Sequence, residues 1–216
     1  NAQLVLSIGL PIPAWMLDGN PSYANIMPDS WADWTPIKNN LAWEVGNLVN
    51  ALWNSPRISR AWLSSRLFVE GFNEFDGLQN ATPVGSQSRS NATPARAADL
   101  QNGIQWVLDH HGISVHTLMP SIVGVSPDFT MAGYVASYYA AGGSGYPNVH
   151  IYLHANASPD ADQAQAFVTQ LGQAIDPIFN ALPVGLRDKL FLSETGAADR
   201  NAAYCPATDQ NAMAPD

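Results

Sequence analysis

Glutamate is scarce in this chain: Glu44, Glu70, Glu74 and Glu194 are the full set. Two of the four close apolar runs. Glu74 ends "RLFVEGFNE" and is followed at once by Phe-Asp-Gly, and Glu194 ends "DKLFLSE" and is followed by Thr-Gly. A carboxylate at a strand tip is costly if buried and idle if fully solvated, so two such placements ask for a chemical reason. Two carboxyl groups facing one cleft can break a glycosidic bond. One, protonated, donates to the departing oxygen, and the other, ionised, attacks the anomeric carbon. A shared environment can push their two proton affinities apart.

Other residues could support that chemistry. Glu70 precedes Glu74 by four positions and shares its strand face, so it is placed either to tune Glu74 or to pair, buried, with Arg66 or a histidine. Asn73 stands next to Glu74. Trp15, Trp31 and Trp34 fall in a long Pro/Gly/Asn-rich stretch, where an indole face can stack on a pyranose ring or simply anchor the loop. Trp43, Trp53, Trp62 and Trp106 fall on helical patterns and read as packing residues. His110 and His111 fall near a helix end, where positive charge is favoured.

Short apolar runs alternate with longer helical patterns. Strands are expected at 2–10, 66–73, 113–124, 148–156 and 188–196, and helices at 35–53, 56–65, 95–112, 129–143 and 158–182. The last helix has Ser158 as expected N-cap, Pro159 at its first position and Asp160 and Asp162 in its first turn, which reads as helix-start chemistry rather than calcium ligation. Strands alternating with helices indicate parallel pairing with both sheet faces covered, in either a (β/α)8 barrel or an open doubly wound sheet. In both, chemistry gathers at the carboxyl ends of the strands. Five strands do not close a barrel. A barrel reading therefore expects further segments or another chain to complete the wall.

Composition narrows the partners. The chain has 216 residues and a net charge of −9, with Lys38 and Lys189 its only lysines. No basic face for nucleic acid is visible, and Schiff-base chemistry has little to draw on. Cys205 is alone, which excludes an internal disulfide and a cysteine metal cluster. No run reaches the ~20 apolar residues of a membrane span. The start "NAQLVLSIGL" lacks a basic leader region, so the chain is expected to begin mid-fold or after processing.

At this point a resemblance becomes specific. "FVEGFNEFDG" resembles the strand-4 Asn-Glu motif of clan A glycoside hydrolases, the (β/α)8 retaining β-glycosidases, and "LFLSETGA" resembles their strand-7 nucleophile motif. The two glutamates are three strands apart, as in that clan. The resemblance spans essentially the whole chain as one partial catalytic domain, strands 3 to 7 of a (β/α)8 TIM barrel. It implies Glu74 as acid/base, Glu194 as nucleophile and Asn73 as a hydrogen-bond partner of the sugar 2-hydroxyl. It implies Tyr152, in "HIYLHA", as the tyrosine that orients the nucleophile, with His154 toward substrate and His150 behind it. "LPIPAWMLDGN", which holds Trp15, resembles the Pro-x-Trp-Met loop of glucosylceramidase-like members. Phe75 departs from the clan, which has proline after Asn-Glu.

The expectation is a retaining glycosidase acting on a polysaccharide or oligosaccharide, with a carbohydrate as its partner, no cofactor, no metal, no nucleic acid and no membrane span. A secreted setting suits such a substrate. Two other readings stand beside it. One is a carbohydrate-binding pseudoenzyme or inactive fragment. The other is a metal-dependent amidohydrolase-like barrel using His116 with His150 or His154, although that family's strand-4 lysine and His-x-His strand have no counterpart.

Overall fold

The computed structural model describes residues 3–7, 26–80, 91–126, 128–155 and 161–199. Seven strands and five α-helices follow one another along them: β1 (Leu4–Ser7), β2 (Ile26–Met27), α1 (Trp31–Trp53), α2 (Arg60–Arg66), β3 (Leu67–Glu70), β4 (Gln79–Asn80), α3 (Pro94–His110), β5 (His116–Leu118), α4 (Met131–Ala140), β6 (Asn148–Ala155), α5 (Ala161–Ala181) and β7 (Phe191–Asp199). All strand pairs are parallel. The sheets are β1-β3-β5, β6-β7 and the small pair β2-β4.

The two larger sheets are joined through the backbone. Leu118 bridges Tyr146 in parallel, with the Tyr146 amide donating to Thr117 O and the Met119 amide to Tyr146 O, both at 2.8 Å. The His150 amide donates to Ile122 O at 2.9 Å. Strands β1, β3, β5, β6 and β7 are therefore neighbours in chain order, with no reversal. No closed barrel forms among the described residues. Leu4 and Val5, which point to opposite faces of β1, both remain exposed.

Helix α1 lays Trp34, Ile37, Leu41, Val45 and Val49 into the core at helical spacing. It packs against the Leu100, Ile104, Val107 and Leu108 stripe of α3. The two helices approach so closely at Gly46 that a Cβ there would lie 2.2 Å from Val107 Cγ1. Trp43 and Trp106 meet edge to face and stay partly exposed rather than entering the core.

The structure changes several expected boundaries. Helix α1 begins at Trp31 because the Ser30 side chain caps it, accepting from the Asp33 amide at 3.0 Å. This removes Trp31 and Trp34 from the loop. Trp34 is buried to 1% exposure, edge-on to Phe75 at 5.9 Å, and packs the core instead of offering a sugar platform. Trp31 opens the helix with the Arg96 guanidinium 5.2 Å over its ring. The strand expected over 113–124 keeps only His116–Leu118. Pro120 has no amide to give a ladder, the Ser121 amide is shared between Glu70 Oε1 and Phe72 O, and the amides of Val123, Gly124 and Val125 are taken by the Asp76 carboxylate. The last strand, expected over 188–196, starts at Phe191 and pairs with β6 as far as Asp199. The proposed cap at Ser158, with Asp160, lies outside the described residues.

Candidate active site

Glu74 sits just beyond β3 on a strained turn. Its backbone is left-handed (φ 53°, ψ 53°), the only positive φ outside glycine among the described residues. Such a conformation persists when its surroundings over-determine it. Here the 119–125 segment does so. The Glu74 amide donates to Ser121 Oγ at 2.9 Å, and the Phe75 amide donates to Ser121 O at 2.8 Å. The second bond explains the residue after Asn73-Glu74, since a proline there would have no N–H to give. The Phe75 ring fills the core beside Trp34 and Phe72.

Two buried carboxylates fix that segment in turn. Glu70 Oε1 accepts from the Ser121 amide at 2.8 Å. Asp76 Oδ1 accepts from the Val123 amide at 2.9 Å, and its Oδ2 from the Gly124 and Val125 amides at 2.8 and 3.0 Å. Burial pushes both carboxyls above their ordinary range, opposed by these hydrogen bonds. Glu70 thus reaches Glu74 through Ser121, and neither Arg66 nor a histidine is its hydrogen-bond partner here.

Glu194 is held differently, by the regular β6-β7 ladder, in which His150 is opposite Glu194. The register slips by one between Val149 and His150, so Ser193 is an extra residue on β7. Without the slip, Ser193 and Glu194 would face opposite sides of the sheet. With it, both address His150.

His150 is 1% exposed and lies between the carboxylates. Its Nδ1 is 3.1 Å from Glu74 Oε1 and 3.8 Å from Glu194 Oε2. Its Nε2 is 3.1 Å from Ser193 Oγ, and Ser193 Oγ is 2.6 Å from Asn148 Oδ1. The Tyr152 hydroxyl donates a short hydrogen bond to Glu194 Oε2. Burial, then the Glu194 hydrogen bond and charge, push the Tyr152 phenol well above its ordinary value, so it stays a donor. The side chains of Glu74 and Glu194 are 35% and 49% exposed, open to a ligand from solvent while their inner oxygens are engaged.

No protein-family model, curated protein or solved structure matches the chain. The arrangement of its own residues is therefore what a functional reading has to rest on.

The structure brings Glu74, Glu194, His150 and Tyr152 into one cluster, with Glu70 one contact away. Asn73 is half-buried in the same turn. Trp15 and the side chain of His154 lie outside the described residues. One donor atom each from Glu74, His150 and Glu194 fall within 4.8 Å of one another, a spacing a divalent cation would also accept. A single proton between Glu74 and His150 satisfies the same contact. His116, which a strand-5 metal site would use, is stacked on Phe68 at 4.8 Å, with its Nδ1 3.4 Å from the Tyr146 hydroxyl.

Sequence reasoning missed Ser121, Asp76, Ser193 and Asn148. Asp76 and Ser193 carry a local signal, a polar residue beside a glutamate in an apolar run. Ser121 and Asn148 carry none, because their partners are remote in the chain.

Proposed function

We propose that this chain carries the acid/base and nucleophile of a retaining glycoside hydrolase that cleaves β-glycosidic bonds in a polysaccharide or oligosaccharide. The observation that carries the reading is the convergence of Glu74 and Glu194 on one buried imidazole. Their nearest oxygens are within 4.8 Å. Retaining enzymes need carboxyl groups about 5–5.5 Å apart, whereas inverting ones need about 6.5–9.5 Å to admit a water.

Glu194 attacks the anomeric carbon as its carboxylate, held in place by the Tyr152 hydroxyl. Glu74 gives its proton to the departing glycosidic oxygen, and a glycosyl ester forms on Glu194. Water then enters, Glu74 takes its proton, and the oxygen displaces Glu194 to release the sugar. Asn73, next to Glu74, is the residue to bind the sugar 2-hydroxyl. The sequential order of the five parallel strands favours an arc of a (β/α)8 barrel over a doubly wound sheet, which reverses order at its switch point. Further strands would then cover the open side of β1.

Hydrolysis of aryl β-glycosides tests the reading. Glu194→Ala and Glu74→Gln should each abolish release of the aryl group, and azide should restore turnover to Glu74→Ala. Full activity in either variant contradicts the assignment. Sugar binding without aryl release by the folded wild type would make this a binding protein.

A further inference from the structure

The hydrogen-bond chain behind His150 has a direction. Ser193 Oγ is 2.6 Å from Asn148 Oδ1, a length that belongs to O–H···O bonds and falls short of the N–H···O range. In this orientation the Ser193 hydroxyl is the donor and the Asn148 amide presents its oxygen, which leaves the buried Asn148 Nδ2 without a hydrogen-bond partner among the described residues. A serine has one hydrogen to give. Having spent it on Asn148, Ser193 Oγ can only accept from His150 Nε2, 3.1 Å away. Asn148 and His150 are both buried, at 0% and 1% exposure, so water does not readily reverse the chain. The register slip that makes Ser193 an extra residue on β7 is what lets it face the ring at all.

We propose that Ser193 and Asn148 are positioning residues that hold neutral His150 with its proton on Nε2, leaving the Nδ1 lone pair aimed at Glu74. The tautomer stands on the geometry alone. Its catalytic consequence rests on the hydrolytic reading above.

With the proton fixed on Nε2, the contact between His150 Nδ1 and Glu74 Oε1 is satisfied only when one further proton lies between them. Before bond cleavage that proton is the one Glu74 donates. Once it has left with the departing oxygen, a carboxylate lone pair and an imidazole lone pair face each other at 3.1 Å. Removing a proton from the incoming water relieves that repulsion. The arrangement thus drives Glu74 to act as base in the second step. A ring free to place its proton on Nδ1 would instead donate to the carboxylate and weaken it as the base of the second step. The other ionisable groups around His150 are Glu194 and Tyr152 on the β6-β7 side and Glu70 on β3, with Asp76 next to Glu74. None of them contacts Nε2, so the tautomer is left to Ser193.

Long-range proton–nitrogen correlation spectra of the nitrogen-15-labelled chain read the tautomer directly. The wild type should show Nε2 of the neutral His150 ring protonated. Asn148→Leu frees the Ser193 hydroxyl to donate to Nε2 and should move the neutral ring's proton to Nδ1, whereas Asn148→Asp keeps the acceptor and the wild-type pattern. An unprotonated Nε2 in the neutral wild-type ring overturns the proposal even if every variant fails to fold. So does a folded Asn148→Leu protein with unchanged nitrogen shifts. In aryl glycoside hydrolysis, Ser193→Ala should move the basic limb of the kcat/KM profile to lower pH and slow turnover about tenfold, with Ser193→Thr restoring both. The predicted spectra without hydrolysis would retire the hydrolase and keep the tautomer. Hydrolysis with the opposite tautomer would do the reverse.

Discussion

The two carboxylates of the candidate site are held by contrasting means. Glu74 stands on a left-handed turn that no regular element dictates, pinned from one side by the 119–125 segment. Glu194 rides on a nine-residue strand whose ladder sets its place, adjusted by one slip of register. The first arrangement spends buried polar groups on position: Glu70, Asp76 and Ser121 all serve it. The second costs one bulge. The difference teaches that the Glu74 half of the site is sensitive to side chains behind its turn. The Glu194 half is sensitive mainly to its own strand and to Tyr152.

The largest effects should come from the carboxylates themselves. Loss of Glu194 should lower turnover by about 10⁴-fold or more, as for other nucleophiles. Loss of Glu74 should cost about 10²–10⁴-fold, the range for general acid–base catalysis. Steady-state kinetics with aryl glycosides would show both.

Next is the loop anchor. Asp76→Ala strands three backbone amides that the carboxylate now accepts. It should cost about 3 kcal/mol of stability, measured as a fall in the urea midpoint, and slow the Glu74 step with it. A fully stable Asp76→Ala protein would break the contrast between the two halves. Tyr152→Phe should leave stability intact, since the tyrosine is 45% exposed, and lower kcat about 10–100-fold by releasing Glu194 from a charge-assisted hydrogen bond. If it instead destabilised the fold, the Glu194 half would be the anchored one.

The smallest effect is a pH dependence. Burial holds the Glu70 and Asp76 carboxyls above their ordinary range, so the folded protein keeps protons that the unfolded chain has lost. Their contribution to stability is fully present below the ordinary carboxylate range and is lost as pH rises through the raised folded values. Glu70→Gln removes one of the two groups and should flatten that decline, read from urea midpoints across the acid range. An unchanged slope would mean Glu70 titrates in the fold as it does in the unfolded chain.

The same contrast marks what the sequence could reveal. Glu194 was legible as a carboxylate ending an apolar run, and Tyr152 and His150 came only with the resemblance carried by "HIYLHA". Glu74 was legible as a carboxylate ending such a run. The reason its turn holds was not, because Ser121 lies 47 positions away and Asp76 reaches equally far to Val123. A run such as "ISVHTLMPSIVG" reads as a strand by its apolar content, yet after Met119 its Ser121, Val123 and Gly124 amides answer carboxylates instead of continuing the ladder. Trp34 failed as a platform for a related reason. A cap at Ser30 extended α1 by four residues beyond its expected start and turned a loop tryptophan into a core one.

Trapping the intermediate tests the central claim most directly. A panel of activated 2-deoxy-2-fluoro β-glycosides should leave one covalently bound sugar, and peptide mapping should place it on Glu194, with Glu194→Gln unlabelled. A sugar mapped to Glu74 or to any other side chain, or hydrolysis that inverts the anomeric centre, would contradict it.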